Sequence, residues 1–240
     1  MLITGLSDFE DKDKAWAENI RNMFGQIAKK YNIMNRLITF GQDQVWCRYV
    51  IRKAQLPVYR GRMLDIGTGT GSIAVKAKHT HQSLFVVAAD FSIDMMLIGR
   101  ANNKEIAWCG SDALELPFPD KTFDAVTSGY LVRNVSDLLC SFKEQVRVVR
   151  HGGKVVCLET SPANKSWFQT FARFYMNFVI PCLGSLISGH RNAYTYLPAS
   201  SQAFKNHEQL AQIMRRAGLA NVSYKKFMFG NIGVHTGTRP

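Results

Sequence analysis

A chain of 240 residues, 46% hydrophobic and 20% charged, can bury a sizeable core and has ordinary globular composition, which excludes a fibrous or disordered protein. Thirty Lys and Arg against 18 Asp and Glu give a formal charge of +12, an excess that suits an anionic partner. Of nucleic acid, a membrane surface and an acidic substrate, nucleic acid is the weakest, because no RNA-binding signature or polybasic run gathers the charge.

The opening MLITGLSDFEDKDK has no cationic start before an apolar core, so no signal peptide is expected and the expected location is cytoplasmic. Residues 15–55 read as helices: Ile20, Met23, Phe24, Ile27 and Tyr31 share one face, Gly41 interrupts, and VWCRYVIRKAQL resumes. From residue 61 strands and helices alternate. RMLDI (62–66) reads as a buried strand, SIAVKAKHT (72–80) as a helix, SLFVVAAD (83–90) as a second strand and SIDMMLIGRAN (92–102) as a helix capped by Ser92. IAWCG (106–110) and FDAVTSGY (123–130) are the third and fourth strands. SDLLCSFKEQVRVVR (136–150) is a helix ended by Gly152 and Gly153, and KVVCLET (154–160) is the fifth strand. Residues 163–200 are aromatic-rich and break the pattern. Within them 167–187 most resemble a membrane span, but Gln169, Arg173, Asn177 and Pro181 interrupt it, so no span is expected. NHEQLAQIMRRAGL (206–219) is an amphipathic helix with Asn206 and Gln209 spaced for a capping box. The last residues read as two strands joined at Gly230 and Asn231.

This order predicts an α/β, doubly wound, mostly parallel sheet of seven strands with a C-terminal antiparallel hairpin. One domain is expected, with N-terminal helices over 1–60, a core over 61–162, an insertion over 163–204 and a C-terminal helix and hairpin over 205–240. The five cysteines are widely spaced with no C-x-x-C, which fits reduced thiols and neither a disulfide frame nor a metal site.

MLDIGTGTGSIA (63–74) places Gly67, Gly69 and Gly71 directly after the first strand. Glycines there let the backbone turn tightly and approach a ligand, and the next helix presents its amides. Asp90 ends the second strand 25 positions after Asp65, the spacing of a carboxylate that accepts from a ribose diol. The plainer alternative is a tight turn with a capping aspartate. Ser72 occupies the place of a dinucleotide fold's third glycine, so a monomeric nucleoside with an amino-acid tail fits better. S-adenosyl-L-methionine is that ligand. Asp112, just past the third strand, either accepts from an adenine amino group or serves an Asx turn.

Several segments together resemble the ubiquinone/menaquinone biosynthesis C-methyltransferases of the class I S-adenosylmethionine-dependent fold. They are FGQIAKKYNIMNRLITFG (24–41), LDIGTGTG (64–71), DALELPFPDKTFD (112–124), RNV (133–135), VVRHGGKVVCLETS (148–161), VIPCLGSLIS (179–188), AYTYLPAS (193–200), AGLANVSY (217–224) and GVHTGTRP (233–240). The resemblance implies methyl transfer to a ring carbon of a prenylated quinol, most often demethylmenaquinol. It puts Thr70, Asp90 and the pair Asp112–Ala113 on cofactor-binding positions.

The expected cofactor site is Asp65, Gly67, Thr68, Gly69, Thr70, Gly71, Asp90, Phe91, Asp112, Ala113 and Gly129. Arg133 and Asn134, after the fourth strand, are the catalytic candidates: the guanidinium can stabilise a phenolate or orient a water, although it can also bridge to Asp137 or cap a helix. Tyr31, Asn35, Tyr194, Tyr196 and His235 are the substrate candidates, with packing as the alternative for the tyrosines and the strand histidine. The 163–200 aromatics read as a lid over a greasy substrate or as core. The partners expected are a lipophilic prenylated quinol and an anionic membrane face bound peripherally, with a homodimer left open. The sequence departs from the family at Asp43 and Gln44, where His-Arg is usual, at Gly129, at Leu131, where Gly is usual, and at Ser200, where Glu is usual. A methyltransferase of another phenolic or lipophilic small molecule is therefore the alternative. A nicotinamide oxidoreductase and a non-catalytic scaffold are further rivals.

Overall fold

The computed structural model describes residues 4–162 and 191–240. In chain order the elements are α1 (Thr4–Ile38), α2 (Asp43–Ala54), β1 (Arg62–Ile66), α3 (Ser72–Thr80), β2 (Phe85–Asp90), α4 (Ile93–Asn102), β3 (Ala107–Gly110) and β4 (Phe123–Gly129). A 3-10 turn (Val132–Asn134), α5 (Leu138–Val148), β5 (Val149–Thr160), α6 (Arg191–Ala203), α7 (His207–Arg216), β6 (Ala220–Phe227) and β7 (Ile232–Thr238) follow. Most of the expected lid, including the aromatic run 167–178, lies outside the described residues; α6 is its described part.

The strands form one sheet in the order β3-β2-β1-β4-β5-β7-β6. The first five are parallel, and β7 runs antiparallel to both β5 and β6. Apolar strands buried on both faces need helices on both sides. Trp46, Val50 and Ala54 of α2 and Ile73, Ala74 and Ala77 of α3 cover one face, against Met63, Val86, Ala125 and Val156. Phe142 and Val148 of α5 and Leu210 and Met214 of α7 cover the other, against Leu64, Val87, Val126 and Val155. The order reverses between β1 and β4, which opens a crevice at their carboxyl ends.

The doubly wound sheet, the α3 boundaries and the α7 capping box are as the sequence indicates. Asn206 Oδ1 accepts from the Gln209 amide at 2.9 Å and Gln209 Oε1 from the Asn206 amide at 2.9 Å. Other expectations are corrected. Helix α1 starts at Thr4, well before the apolar periodicity begins. Ser92 stands at the N-cap of α4, but its hydroxyl makes no cap bond; its amide instead donates to Asp90 Oδ1 at 2.8 Å. The hairpin link is wider than two residues: Met228 and Phe229 are both left-handed (φ 47° and 55°) and precede Gly230.

Gly152 and Gly153 do not end a helix. Helix α5 stops at Val148, and both glycines lie inside β5, where the pairing jumps from Phe123–Val149 to Ala125–Lys154. The Gly152 amide donates to the Arg239 carbonyl at 2.8 Å and the Arg239 amide to the Gly153 carbonyl at 3.0 Å. A Cβ on Gly153 would sit 2.6 Å from the Asp124 carbonyl, whereas at Gly152 (φ 74°) there is nothing within 4 Å. Among the described residues no helix is long and apolar enough to cross a membrane, and Cys47, Cys109, Cys140 and Cys157 are free thiols.

The contrast between the two glycines is measurable by denaturant unfolding. Gly153→Ala, which forces backbone apart, is expected to cost about 2–3 kcal/mol. Gly152→Ala, with backbone strain alone, is expected to cost about 1 kcal/mol. Equal losses would contradict the packing account.

Candidate active site

Two buried carboxylates organise the crevice. Asp65, in β1, accepts from the Thr68 hydroxyl at 2.7 Å and the Thr127 hydroxyl at 2.6 Å. Burial still pushes its pKa up to about 6, against the pull of those hydrogen bonds. Asp90, at the end of β2, accepts from the Gly69 amide at 2.7 Å and the Ser92 amide at 2.8 Å. It therefore clamps the glycine loop to the neighbouring strand, and burial raises its pKa as well. The loop needs its glycines: Gly67, Gly69 and Gly71 have φ of 61°, 57° and 88°, a region other residues enter only with strain. Helix α1 closes over the loop, with the Thr70 hydroxyl donating to Asn32 Oδ1 at 2.6 Å.

The loop lines a cavity of about 410 Å³, together with Asp65, Gly129, Tyr130, Tyr31, Asn32, Asn35 and Asp43. That volume is within the usual range for small-ligand sites. Of the expected cofactor residues, Asp65, Gly67, Thr68, Gly69, Thr70, Gly71 and Gly129 meet in its wall; Asp90, Phe91, Asp112 and Ala113 lie outside it, at the ends of β2 and β3. Leu131 packs on Gly67, where a Cβ would lie 2.7 Å from its Cδ1, and it belongs to the same apolar cluster as Ala113 and Leu116. Asp112 Oδ1 accepts from the Leu114 amide at 2.8 Å, an Asx turn. A bare-backbone cradle beside two carboxylates whose donors among the described residues are hydroxyls and amides fits a cationic nucleoside such as S-adenosylmethionine.

A second cavity of about 370 Å³ has mainly apolar walls, among them Ile38, Trp46, Leu197, Pro198, Met228 and Ile232. Tyr31, Asn35, Asp43 and Tyr130 line both cavities, so the two meet there. Tyr31 is half-buried, and burial raises its pKa against a hydrogen bond with Asn35 and the charge of Arg133. Tyr130 closes β4 in a left-handed conformation, φ 58°, a strain that functional sites often hold. Asp43 accepts from the Thr39 hydroxyl at 3.2 Å and from the Gln44 side-chain Nε2 at 3.0 Å.

Arg133 lines the apolar cavity, but its partner is not Asp137. It forms a buried ion pair with Glu159, and its guanidinium stands 5.6 Å from the Tyr130 ring centre. Asp137 caps α5 instead, accepting from the Cys140 amide at 2.9 Å. Asn134 Nδ2 donates to the Tyr130 carbonyl at 3.0 Å, and its Oδ1 accepts from the Tyr196 hydroxyl at 2.9 Å. The Tyr194 side chain lies outside the described residues.

The substrate role expected for His235 is corrected. The ring lies in neither cavity wall; it packs against His207 of α7 and Tyr224 of β6, with Nε2 3.0 Å from the His207 carbonyl. Burial pulls its pKa down to about 4, so it is a neutral packing residue. Sequence reasoning missed Glu159, Tyr130 and the position of Asp43. An acid near the end of an apolar strand, as in VVCLET, is the same signal that marked Asp65 and could have marked Glu159.

The pattern of the ubiE/COQ5 methyltransferase family matches residues 11–239. A ubiquinone/menaquinone biosynthesis C-methyltransferase UbiE of Desulfotalea psychrophila is 42% identical over 222 residues, covering 92% of this chain and 90% of that one. A demethylmenaquinone methyltransferase of Thermus thermophilus is 41% identical, covering 91% of this chain and 100% of that one. Among solved structures, a SAM-dependent methyltransferase of Thermotoga maritima shares the fold, with a TM-score of 0.65 at 19% identity over 91% of this chain and 99% of that one.

The Thr70–Asn32 bond gives a local test. Asn32→Ala should cost about 1 kcal/mol and speed amide hydrogen exchange in α1 while leaving β1 and β4 protected. Unchanged exchange in α1 would show that the contact does not hold the helix down.

Proposed function

Since this chain belongs to the ubiE/COQ5 methyltransferase family, an S-adenosylmethionine-dependent group, we propose that its acceptor is a ring carbon of a prenylated quinol, demethylmenaquinol first among them. The observation that carries this reading is the apolar cavity that shares Tyr31, Asn35, Asp43 and Tyr130 with the glycine-loop cavity. A greasy ring there adjoins the donor site, which favours its alignment with the methyl group. When bound, S-adenosylmethionine supplies an electrophilic methyl group on a positively charged sulfur.

The chain's own residues divide the remaining work. The loop Gly67–Gly71 offers backbone without side chains, and Asp65 and Asp90 supply negative charge beside it. Arg133 lines the apolar cavity, and its guanidinium is suited to a ring oxygen as negative charge grows on it. Asn134 braces the strand end through the Tyr130 carbonyl and holds Tyr196. Asp43, at the junction, is the carboxylate suited to take the proton of a ring hydroxyl. Tyr31 and Asn35 suit the second ring oxygen.

Membrane contact belongs to the same proposal. Phe40 and Phe229 line the apolar cavity and are 73% and 75% exposed. Next to them in the fold, Arg52, Lys53 and Lys225 gather within 6 Å of the Tyr49 ring, which packs edge-on against Phe227. Apolar side chains flanked by cations suit an anionic bilayer face.

Incubation with methyl-labelled S-adenosylmethionine and a panel of quinols, read by mass spectrometry, should give a product methylated at ring carbon; methylation only at oxygen or nitrogen would refute the acceptor. Flotation with acidic liposomes should carry the protein upward, and neutral liposomes should not. Asp65 also predicts a pH dependence. Its carboxyl is protonated in the free fold below about pH 6, so calorimetric affinity for the cationic cofactor should fall up to about tenfold per unit below that value. Asp65→Asn should flatten the slope, and a slope identical in both proteins would remove Asp65 from the site.

A further inference from the structure

Glu159 is the next-to-last residue of β5, and its side chain is 0% exposed. A carboxylate so enclosed needs donors, and it has four: Arg133 Nη1, the Arg133 amide at 3.3 Å, the Thr160 amide at 2.8 Å and the Thr160 hydroxyl at 3.2 Å. Arg133 is 4% exposed in its side chain. Among the described residues that line the apolar cavity, Arg133 is the one Lys or Arg, and Asp43 is the one acid. An unmatched guanidinium in such a cavity would draw in an anion, because few water dipoles are there to screen it. With Glu159 behind it the guanidinium is offset, and the charge left over is that of Asp43. A negatively charged ring would then meet repulsion, with no free cation among the described lining residues to answer it.

We propose that Glu159 is a positioning and specificity-determining residue for the methyl acceptor. It fixes the Arg133 guanidinium against the Tyr130 ring and cancels its charge, so the cavity accepts rings that carry neutral hydroxyls and rejects rings that carry a carboxylate. The inference rests on the reading that a quinol ring occupies this cavity.

The test compares a neutral quinol with the same ring bearing a carboxylate, in the wild type, Glu159→Gln and Glu159→Asp. Binding of S-adenosylmethionine by calorimetry serves as the measure of folding. The wild type should favour the neutral ring by at least about tenfold in kcat/KM, and Glu159→Asp should keep that preference. Glu159→Gln should narrow or invert it by lowering KM for the carboxylated ring, with cofactor affinity unchanged. A residue of merely structural importance would lower kcat for both rings alike and leave their ratio intact, and that result would overturn the proposal. So would a wild type indifferent to the carboxylate, or a Glu159→Asp variant that loses the preference; these two arms decide the matter even where Glu159→Gln fails to fold. A wild type that methylates neither ring overturns the quinol reading and this inference with it, whereas normal quinol turnover with no preference overturns this inference alone.

Discussion

Three strands of this sheet carry a carboxylate that water scarcely reaches, near or at their carboxyl ends: Asp65 in β1, Asp90 in β2 and Glu159 in β5. Enclosing a charged carboxylate without donors costs several kcal/mol. The surrounding chain must therefore deliver hydrogen-bond donors to each of them. Thr68 and Thr127 do so for Asp65, the Gly69 and Ser92 amides for Asp90, and Arg133 with Thr160 for Glu159. The tight curl of the glycine loop is one consequence, because the Gly69 amide reaches Asp90 only if the chain doubles back through left-handed conformations. The buried guanidinium at the head of the apolar cavity is another.

The three acids are satisfied in two different ways, and the crevice takes its electrostatic character from the difference. Hydroxyls and amides hold Asp65 and Asp90, which remain a region of negative potential beside the N-terminus of α3. A full cation holds Glu159, and the pair is close to neutral. The glycine-loop half is thus built for a positive ligand and the apolar half for an uncharged one. The sheet topology brings both halves to one place, since the strand order reverses between β1 and β4.

The sequence made the sheet legible because its strands are unbroken apolar runs and its helices have a clear period. Asp65 and Asp90 stood out because glycine- or serine-opened helices follow them within a few residues. Glu159 has the same position in its strand, but its partner Arg133 is 26 positions earlier, and no local pattern encodes a pairing at that range. Gly152 and Gly153 misled for a related reason: a glycine pair after a helix resembles a stop signal, whereas here the close approach of the Asp124 carbonyl, a tertiary fact, requires it. His235 was ambiguous from the start, because strand alternation says which residues share a face but not which layer covers that face. The cap at Asn206 was legible because its partner Gln209 lies only three residues on.

Helix α1 lies outside the wound sheet, yet it supplies the wall between the two cavities. Tyr31 and Asn35 are one turn apart and so face the same way, and Asn32 beside them ties the helix to Thr70. Of the positions that depart from the family resemblance, Gly129 ends β4, whereas Asp43, Gln44, Leu131 and Ser200 lie outside the strands. Asp43 lines both cavities, and Gln44 hydrogen-bonds to it. Leu131 packs on Gly67, and Ser200 bonds to the carbonyl of Leu197, which lines the apolar cavity. Changes confined to the sheet core would alter stability; changes confined to the cradle would alter the grip on the cofactor. Of the departures, Asp43 alone lines the apolar cavity, and it puts a carboxylate where the two cavities meet. A carboxylate at that junction bears on both ligands at once, because both cavities open onto it.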